Sequence, residues 1–177
     1  MSVIFRLMFF VCSLFIFFSC SSISNKPNQF EKMIDTTKLY YIESVYSHKF
    51  LDIDKGSVDD GANLIQFSFN GMDNQKFKFR LLPDGFYNII SVKSGKYLDV
   101  KNNSVESGTN IIQWNCNNAE NQKFDVVFQN DGNVNIFSKV SGKCFDVNAG
   151  SMENAVSIVQ WDYSNSHNQK FAIKIVQ

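Results

Sequence analysis

Apolar and polar positions alternate in short stretches along most of the chain. Phe77-Lys78-Phe79-Arg80-Leu81 reads apolar, polar, apolar, polar, apolar, and Phe171-Ala172-Ile173-Lys174-Ile175 does so more weakly. A period of two buries one face of a β-strand. The runs Tyr40–Val45, Phe50–Ile53 and Leu64–Phe69 are rich in β-branched and aromatic residues and also predict strands. Clusters such as Asp59-Asp60-Gly61 and Pro83-Asp84-Gly85 separate these runs and predict turns. No stretch carries an apolar stripe at helical spacing over a useful length.

The first twenty residues follow a different pattern. Arg6 precedes an apolar run of twelve residues, Leu7 to Phe18. At about 1.5 Å per residue the run is too short for a bilayer core of about 30 Å. Its length suits the apolar region of an export signal. The following Ser19-Cys20-Ser21-Ser22 resembles the end of a bacterial lipoprotein signal, which implies lipidation of Cys20. Phe17 departs from the usual Leu of that pattern, and ordinary secretion with cleavage near Ser19 to Ser22 is the alternative. Either route predicts an exported protein, cell-surface or secreted, with membrane contact only through a lipid anchor. Residues 21–36 are polar, contain Pro27 and lack periodicity, so they predict a tether.

The remainder repeats itself. Asn74-Gln75-Lys76-Phe77 recurs as Asn121-Gln122-Lys123-Phe124 and as Asn168-Gln169-Lys170-Phe171, each 47 residues on (121 − 74, 168 − 121). Leu51-Asp52-Ile53, Leu98-Asp99-Val100 and Phe145-Asp146-Val147 keep that offset, as do Ile65-Gln66-Phe67, Ile112-Gln113-Trp114 and Val159-Gln160-Trp161. Three units (37–83, 84–130, 131–177) account for the chain from Thr37 to Gln177. Four strands per unit predict twelve strands, too few blades for a usual propeller, whereas a closed barrel removes exposed edges. The recurring motifs closely resemble the ricin B-type lectin repeat, also called carbohydrate-binding module family 13. The family's Gln-x-Trp signature stands here as Gln75-Lys76-Phe77, Gln122-Lys123-Phe124 and Gln169-Lys170-Phe171. The resemblance spans 37–177 and implies an all-β fold, a β-trefoil of three four-stranded repeats with pseudo-threefold symmetry.

Each unit holds residue types that recognise sugars. A carboxylate accepts hydrogen bonds from neighbouring hydroxyls, an aromatic ring covers an apolar C–H face, and an amide both donates and accepts. The sets are Asp52, Phe67 and Asn74, then Asp99, Trp114 and Asn121, then Asp146, Trp161 and Asn168. The resemblance places these residues in sugar pockets. Phe67 is the weakest platform of the three and packing is its alternative role. Gln75, Gln122 and Gln169 share a strand face with Phe77, Phe124 and Phe171, so they are expected to tie loop backbone or the pocket Asp rather than touch ligand. Phe77, Phe124 and Phe171 are expected core anchors. Gln66, Gln113 and Gln160 sit directly before the aromatic, whereas several related lectins carry the pocket Gln two places before it. Strand alternation turns these three away from the face of the aromatic.

Family disulfides join positions that here read Phe50/Phe69, Tyr97/Cys116 and Cys144/Tyr163. No unit can form its own bond, so Cys116 and Cys144 are expected as reduced, partly buried thiols, with aromatic contacts replacing the cross-link. His48 and His167 lie in polar turns outside any metal-ligand spacing, which predicts solvated loop histidines and no metal site. Asn102-Asn103-Ser104 matches a glycosylation acceptor, a pattern common by chance.

Composition narrows the partners. The chain of 177 residues has 17 basic and 17 acidic side chains, so neither nucleic acid nor an anionic lipid surface is favoured. Six of its 18 Phe belong to the export signal. Together these readings predict an exported, non-catalytic carbohydrate-binding lectin with up to three shallow pockets. No cofactor is implied, and the partners are glycans or polysaccharide. The alternatives are a protein-interaction trefoil, as adhesin scaffold or protease inhibitor, or the binding subunit of a toxin or glycosidase whose catalytic chain is encoded elsewhere.

Overall fold

The computed structural model describes residues 34–177. The export signal with Cys20, and the tether up to residue 33, lie outside the described residues. Residues 34–36 form part of the folded body. Ile34 is buried in the hydrophobic core, and Asp35 accepts from the Thr37 backbone N–H at 2.9 Å and from the Tyr40 hydroxyl through its carbonyl at 3.0 Å. The sequence pattern predicts tether for residues 34–36. Ile34 follows Met33 in a short, otherwise polar segment without strand alternation, yet it joins the core.

Twelve strands follow in three sets of four. The first set is β1 (Leu39–Ser44), β2 (Phe50–Ile53), β3 (Leu64–Phe67) and β4 (Phe77–Leu81). The second is β5 (Tyr87–Ser91), β6 (Tyr97–Val100), β7 (Thr109–Trp114) and β8 (Phe124–Phe128). The third is β9 (Val134–Ser138), β10 (Cys144–Val147), β11 (Val156–Trp161) and β12 (Phe171–Ile175). β3 ends two residues before the alternation suggested. The backbone of Ser68 leaves the ladder to bond Asn154 and Gln75 side chains, and Phe69 packs its ring 4.8 Å from Phe50 and 5.1 Å from Tyr41.

The antiparallel pairings β1–β4, β4–β5, β5–β8, β8–β9, β9–β12 and β12–β1 close a ring. A closed ring leaves no edge to pair with another chain. The hairpins β2–β3, β6–β7 and β10–β11 form a second layer and touch one another through β3–β11, β11–β7 and the Asn63–Ile112 bridge. A six-stranded barrel capped by three hairpins is the β-trefoil that the resemblance implies.

The core is built in threefold layers. Phe77, Phe124 and Phe171 are completely buried, as are Leu51, Leu98 and Phe145 one strand away. Ile53, Val100 and Val147, then Leu64, Ile111 and Ile158, fill the hairpin layer. Burying each such side chain contributes about 1.5–3 kcal/mol.

Gln66, Gln113 and Gln160 are also completely buried and join the units in a cycle. Each accepts from a serine hydroxyl of its own unit: Ser47 at 2.6 Å, Ser94 at 2.7 Å and Ser141 at 2.7 Å. Each then donates into another unit. Gln66 Nε2 reaches the Ser151 and Glu153 carbonyls, Gln113 those of Ser57 and Asp59, and Gln160 those of Ser104 and Glu106, all at 2.8–3.0 Å. First clasps third, second clasps first, third clasps second. These amides join the three units to one another.

Cys116 and Cys144 are both free, but neither is partly buried: Cys116 is exposed and Cys144 completely buried. Residue 116 lies past the end of β7, where its Sγ meets Asn118 Oδ1 at 3.5 Å, whereas residue 144 opens β10 and faces the interior. Burial pushes the Cys144 thiol pKa up to about 12. The ring of Tyr163 packs 5.3 Å from Phe137. His48 is an exposed turn residue whose Nδ1 lies 3.4 Å from Glu43 Oε1, and exposed His167 stacks on Tyr46 at 6.5 Å.

Candidate functional site

In each unit the second strand delivers an Asp, the third delivers an aromatic, and a short 3-10 turn before the fourth delivers Asn-Gln. Asp52, Asp99 and Asp146 are 3%, 3% and 6% exposed. Their partner is the Gln of the signature motif. Gln75, Gln122 and Gln169 each donate Nε2 to the Asp Oδ2 at 2.9 Å. The same Nε2 donates to the carbonyl of Ser68, Asn115 or Asp162, at 2.9–3.0 Å. Each Oε1 accepts from the backbone of Asn70, Asn117 or Ser164, at 2.9–3.0 Å. One buried amide thus fixes both the Asp and the loop beyond the aromatic.

The Asn residues complete the surround. Asn168 Nδ2 donates to Asp146 Oδ1 at 2.8 Å and to the Val147 carbonyl at 3.2 Å. Asn121 Nδ2 donates to the Val100 carbonyl at 3.2 Å, and its buried Oδ1 has no donor. In the first unit Asn70 adds a bond of 3.3 Å to Asp52, beside buried Asn74. Burial raises all three Asp pKa values above the ordinary 3.8, outweighing the amide hydrogen bonds that oppose it.

The aromatics point outward. Phe67, Trp114 and Trp161 are 37%, 42% and 46% exposed. The backbone of another unit borders each. Gly61 donates to the Gln113 carbonyl and Gly108 to that of Gln160, both at 2.8 Å. A Cβ on Gly61 would lie 3.7 Å from Trp114 Cζ3, and one on Gly108 3.3 Å from Trp161 Cζ3. The equivalent position beside Phe67 holds Ala155, whose N–H donates to the Gln66 carbonyl at 2.9 Å. Each Trp ring meets a glycine, and the equivalent position in the first unit's surround is alanine.

Two of these places form clefts. The second unit encloses about 380 Å³ between Asp99, Trp114, Asn121, Asn102, Asn103 and Asn117. The first encloses about 310 Å³ around Asp52, Phe67, Asn74, Lys55, Met72 and Lys93. The predicted Asp, aromatic and Asn therefore converge in both. The rim residues were not predicted. Lys55 and Asn102 stand three places after the Asp in a turn with left-handed backbone (φ 55° and 59°), so the shared register could have flagged them. Lys93 comes from the second unit to the first cleft, which no spacing within one unit reveals. Among the described residues no group of His, Cys, Asp or Glu could hold a metal ion.

A closed barrel with an Asp-aromatic-Asn set in each repeated unit defines a β-trefoil of the lectin type. A family model for ricin-type β-trefoil lectin domain-like proteins matches residues 73–161, and the chain belongs to this family. The designed threefold-symmetric protein ThreeFoil shares 36% identity at a TM-score of 0.77, over 78% of this chain and 99% of its own. The exo-β-1,3-galactanase 1,3Gal43A from Clostridium thermocellum shares 35% identity at a TM-score of 0.78, over 81% of this chain and 31% of its own. The Macrolepiota procera ricin B-like lectin, solved in complex with lactose, shares the fold at a TM-score of 0.70 and 16% identity, over 80% of this chain and 98% of its own. No curated protein matches the chain in sequence.

Proposed function

We propose that this protein is a non-catalytic lectin that binds glycan in shallow pockets, up to one per 47-residue unit. The observation that carries the proposal is the recurrence of a braced carboxylate below an outward-facing aromatic ring. The carboxylate is aligned for hydroxyls and the ring for a sugar's C–H face. Asp99 is the only carboxylate lining the second cleft, whereas glycoside hydrolysis needs two carboxyl groups about 5–10 Å apart across one bond. Galactose-containing glycans are the first ligands to try, given the lactose bound by the Macrolepiota lectin and the substrate class named for the galactanase. A shallow pocket of this kind binds with a Kd on the order of millimolar, about −4 kcal/mol. Pockets acting together on a dense glycan raise apparent affinity by roughly 10²-fold. The N-terminal sequence supports export, with Cys20 as lipid anchor or as a cleavage-site neighbour. Lactose titration and a glycan array test the lectin reading. Binding of no saccharide by folded protein overturns it.

One observation favours a second reading. The galactanase carries a similar region as part of a larger enzyme, which suits a binding subunit serving a catalytic chain encoded elsewhere. Co-purification of the chain with a glycosidase would establish that assembly.

A further inference from the structure

The two clefts differ in charge. The second is rimmed by amides, Asn102, Asn103 and Asn117, beside its buried Asp99. The first is rimmed by Asp54, Lys55 and Lys93, above an Asp52 already engaged by the Gln75 and Asn70 amides. The first cleft is lined by two carboxylates, Asp52 and Asp54, and two ammoniums, Lys55 and Lys93, whereas Asp99 is the only charged residue lining the second. Among the described residues neither Lys55 nor Lys93 has a side-chain hydrogen bond or ion pair, whereas Lys76, Lys96, Lys123, Lys139 and Lys143 are all paired.

The backbone beneath this ammonium leaves room for it. A Cβ on Gly56 would lie 2.6 Å from Lys93 Nζ and 3.7 Å from Asn74 Cβ, so Nζ lies over the turn beside the pocket Asn. The second unit has Asn103 at the position of Gly56, with the same left-handed backbone (φ 53° against 57°), and Val140 at the position of Lys93. The equivalent position toward the third unit is Tyr46, stacked on His167. Only the first unit pairs a side-chain-free turn with a cation above it.

We propose that the first cleft selects sugars bearing a carboxylate, uronic acids in the first instance, while the second cleft takes neutral sugars. The proposal rests on the lectin reading and names the ligand class of one of its pockets. The sugar ring would lie on Phe67 with hydroxyls toward Asp52 and Asn74, and its carboxylate would accept from Lys93 Nζ. A charge-assisted bond of this kind is worth about tenfold or more in affinity. The smaller Phe67 ring gives less apolar contact than a Trp, so the charge contributes a larger share of the selectivity.

The test is an NMR titration of isotopically labelled protein with galacturonate and, separately, with galactose. Shifts at Lys55 and Gly56 report the first cleft, and shifts at Asn103 and the Trp114 indole report the second. The expected result is galacturonate binding the first cleft about tenfold more tightly than galactose does, with the preference shrinking as salt rises past about 0.1 M. Lys93→Gln should abolish that preference. Gly56→Asn, a change whose backbone the second unit already tolerates, should abolish it too by displacing the ammonium. Neither should alter galactose binding at Trp114. Equal binding of the two sugars in the first cleft, or a preference that survives Lys93→Gln, overturns the inference while leaving a lectin that binds galactose at Trp114 intact. If neither sugar shifts any cleft and the array is also blank, the lectin reading falls and this inference falls with it.

Discussion

Gln122 Nε2 lies 2.9 Å from Asp99 Oδ2, and both side chains are buried. The Asp99 carboxylate is thus held by the Gln of the signature motif, and in the proposed lectin binding and structure share one hydrogen bond. Removing the carboxyl and removing its charge should have different effects. Asp99→Ala leaves the Gln122 amide short of an acceptor and should cost about 1–3 kcal/mol of stability. Asp99→Asn keeps an acceptor while losing the charge, so its stability at neutral pH should match or exceed that of the native chain, with sugar binding at that cleft lost. Urea unfolding alongside lactose titration separates the two effects. A stable Asp99→Asn variant that still binds fully at Trp114 would remove the carboxylate from recognition.

Both tryptophans of the chain stand at the proposed sugar-facing positions, Trp114 in the second unit and Trp161 in the third. Sugar binding should therefore change intrinsic fluorescence, and Trp114→Phe and Trp161→Phe should each leave the signal of one unit. Trp114→Ala and Trp161→Ala should lose binding in their own units. Because both rings are nearly half exposed, each Ala variant should cost less stability than the roughly 3–5 kcal/mol of a core aromatic truncation.

Gln113→Ala deletes a buried amide that accepts from Ser94 and donates to two carbonyls of the first unit. Each polar group left unpaired costs about 1–3 kcal/mol, so a loss of at least about 2 kcal/mol is expected. The loss should appear as a lower midpoint of a single transition, because the amide joins two units. Separate transitions for the first and second units would show that the clasp is not coupling them.

The three pocket Asp carboxyls have a signed effect on pH stability. Their folded pKa lies above the unfolded value, so the folded state binds the proton more tightly and these groups reduce stability as pH rises from 3.8 through the raised value. Exposed Asp60, Asp84, Glu120 and Asp162, held low by Lys96, Lys139, Lys123 and Lys143, act oppositely and lose their contribution as pH falls. A triple variant with Asn at 52, 99 and 146 should gain stability relative to the native chain as pH rises through that window. Denaturant melts at several pH values check the sign, and a constant difference would refute it.

Thiol labelling should separate the two free cysteines of the fold. Cys116 is exposed, whereas Cys144 is enclosed with its thiol pKa near 12 and its Sγ 3.9 Å from the Gln169 carbonyl. Peptide mapping after brief alkylation should find modified Cys116 and unmodified Cys144, with Cys144 reacting only in denaturant. Rapid labelling of both in native protein would contradict the enclosed position.

Much of this was legible in the chain because the same chemistry recurs in one register. Period-two alternation located β4 and β12, and the offset of 47 aligned the Asp, aromatic and Asn of each unit. The Phe of each signature motif marked the core, and the Gln two places before it marked the brace. What could not be read depends on contacts between units. The acceptors of Gln66 and Gln113 lie 54–87 residues away, and nothing local marks them. Lys93 sits in an ordinary polar turn until the barrel brings it over Gly56. Ile34 had no periodic neighbours to reveal its burial. The equivalent chemistry of Cys116 and Cys144 concealed opposite exposures, because one follows a strand and the other begins one.

The pairing of β1 with β12 gives the ring a seam made from the two ends of the folded body. Around that circle the chain's own starting point has no architectural privilege. A circular permutant that joined the ends through a short linker and opened at the Pro83-Asp84-Gly85 turn would thread the same strands in a rotated order. It would preserve every strand pairing and every clasp. The architecture is cyclic even though the polymer is linear, so the order in which the three units are synthesised is separable from the shape they form.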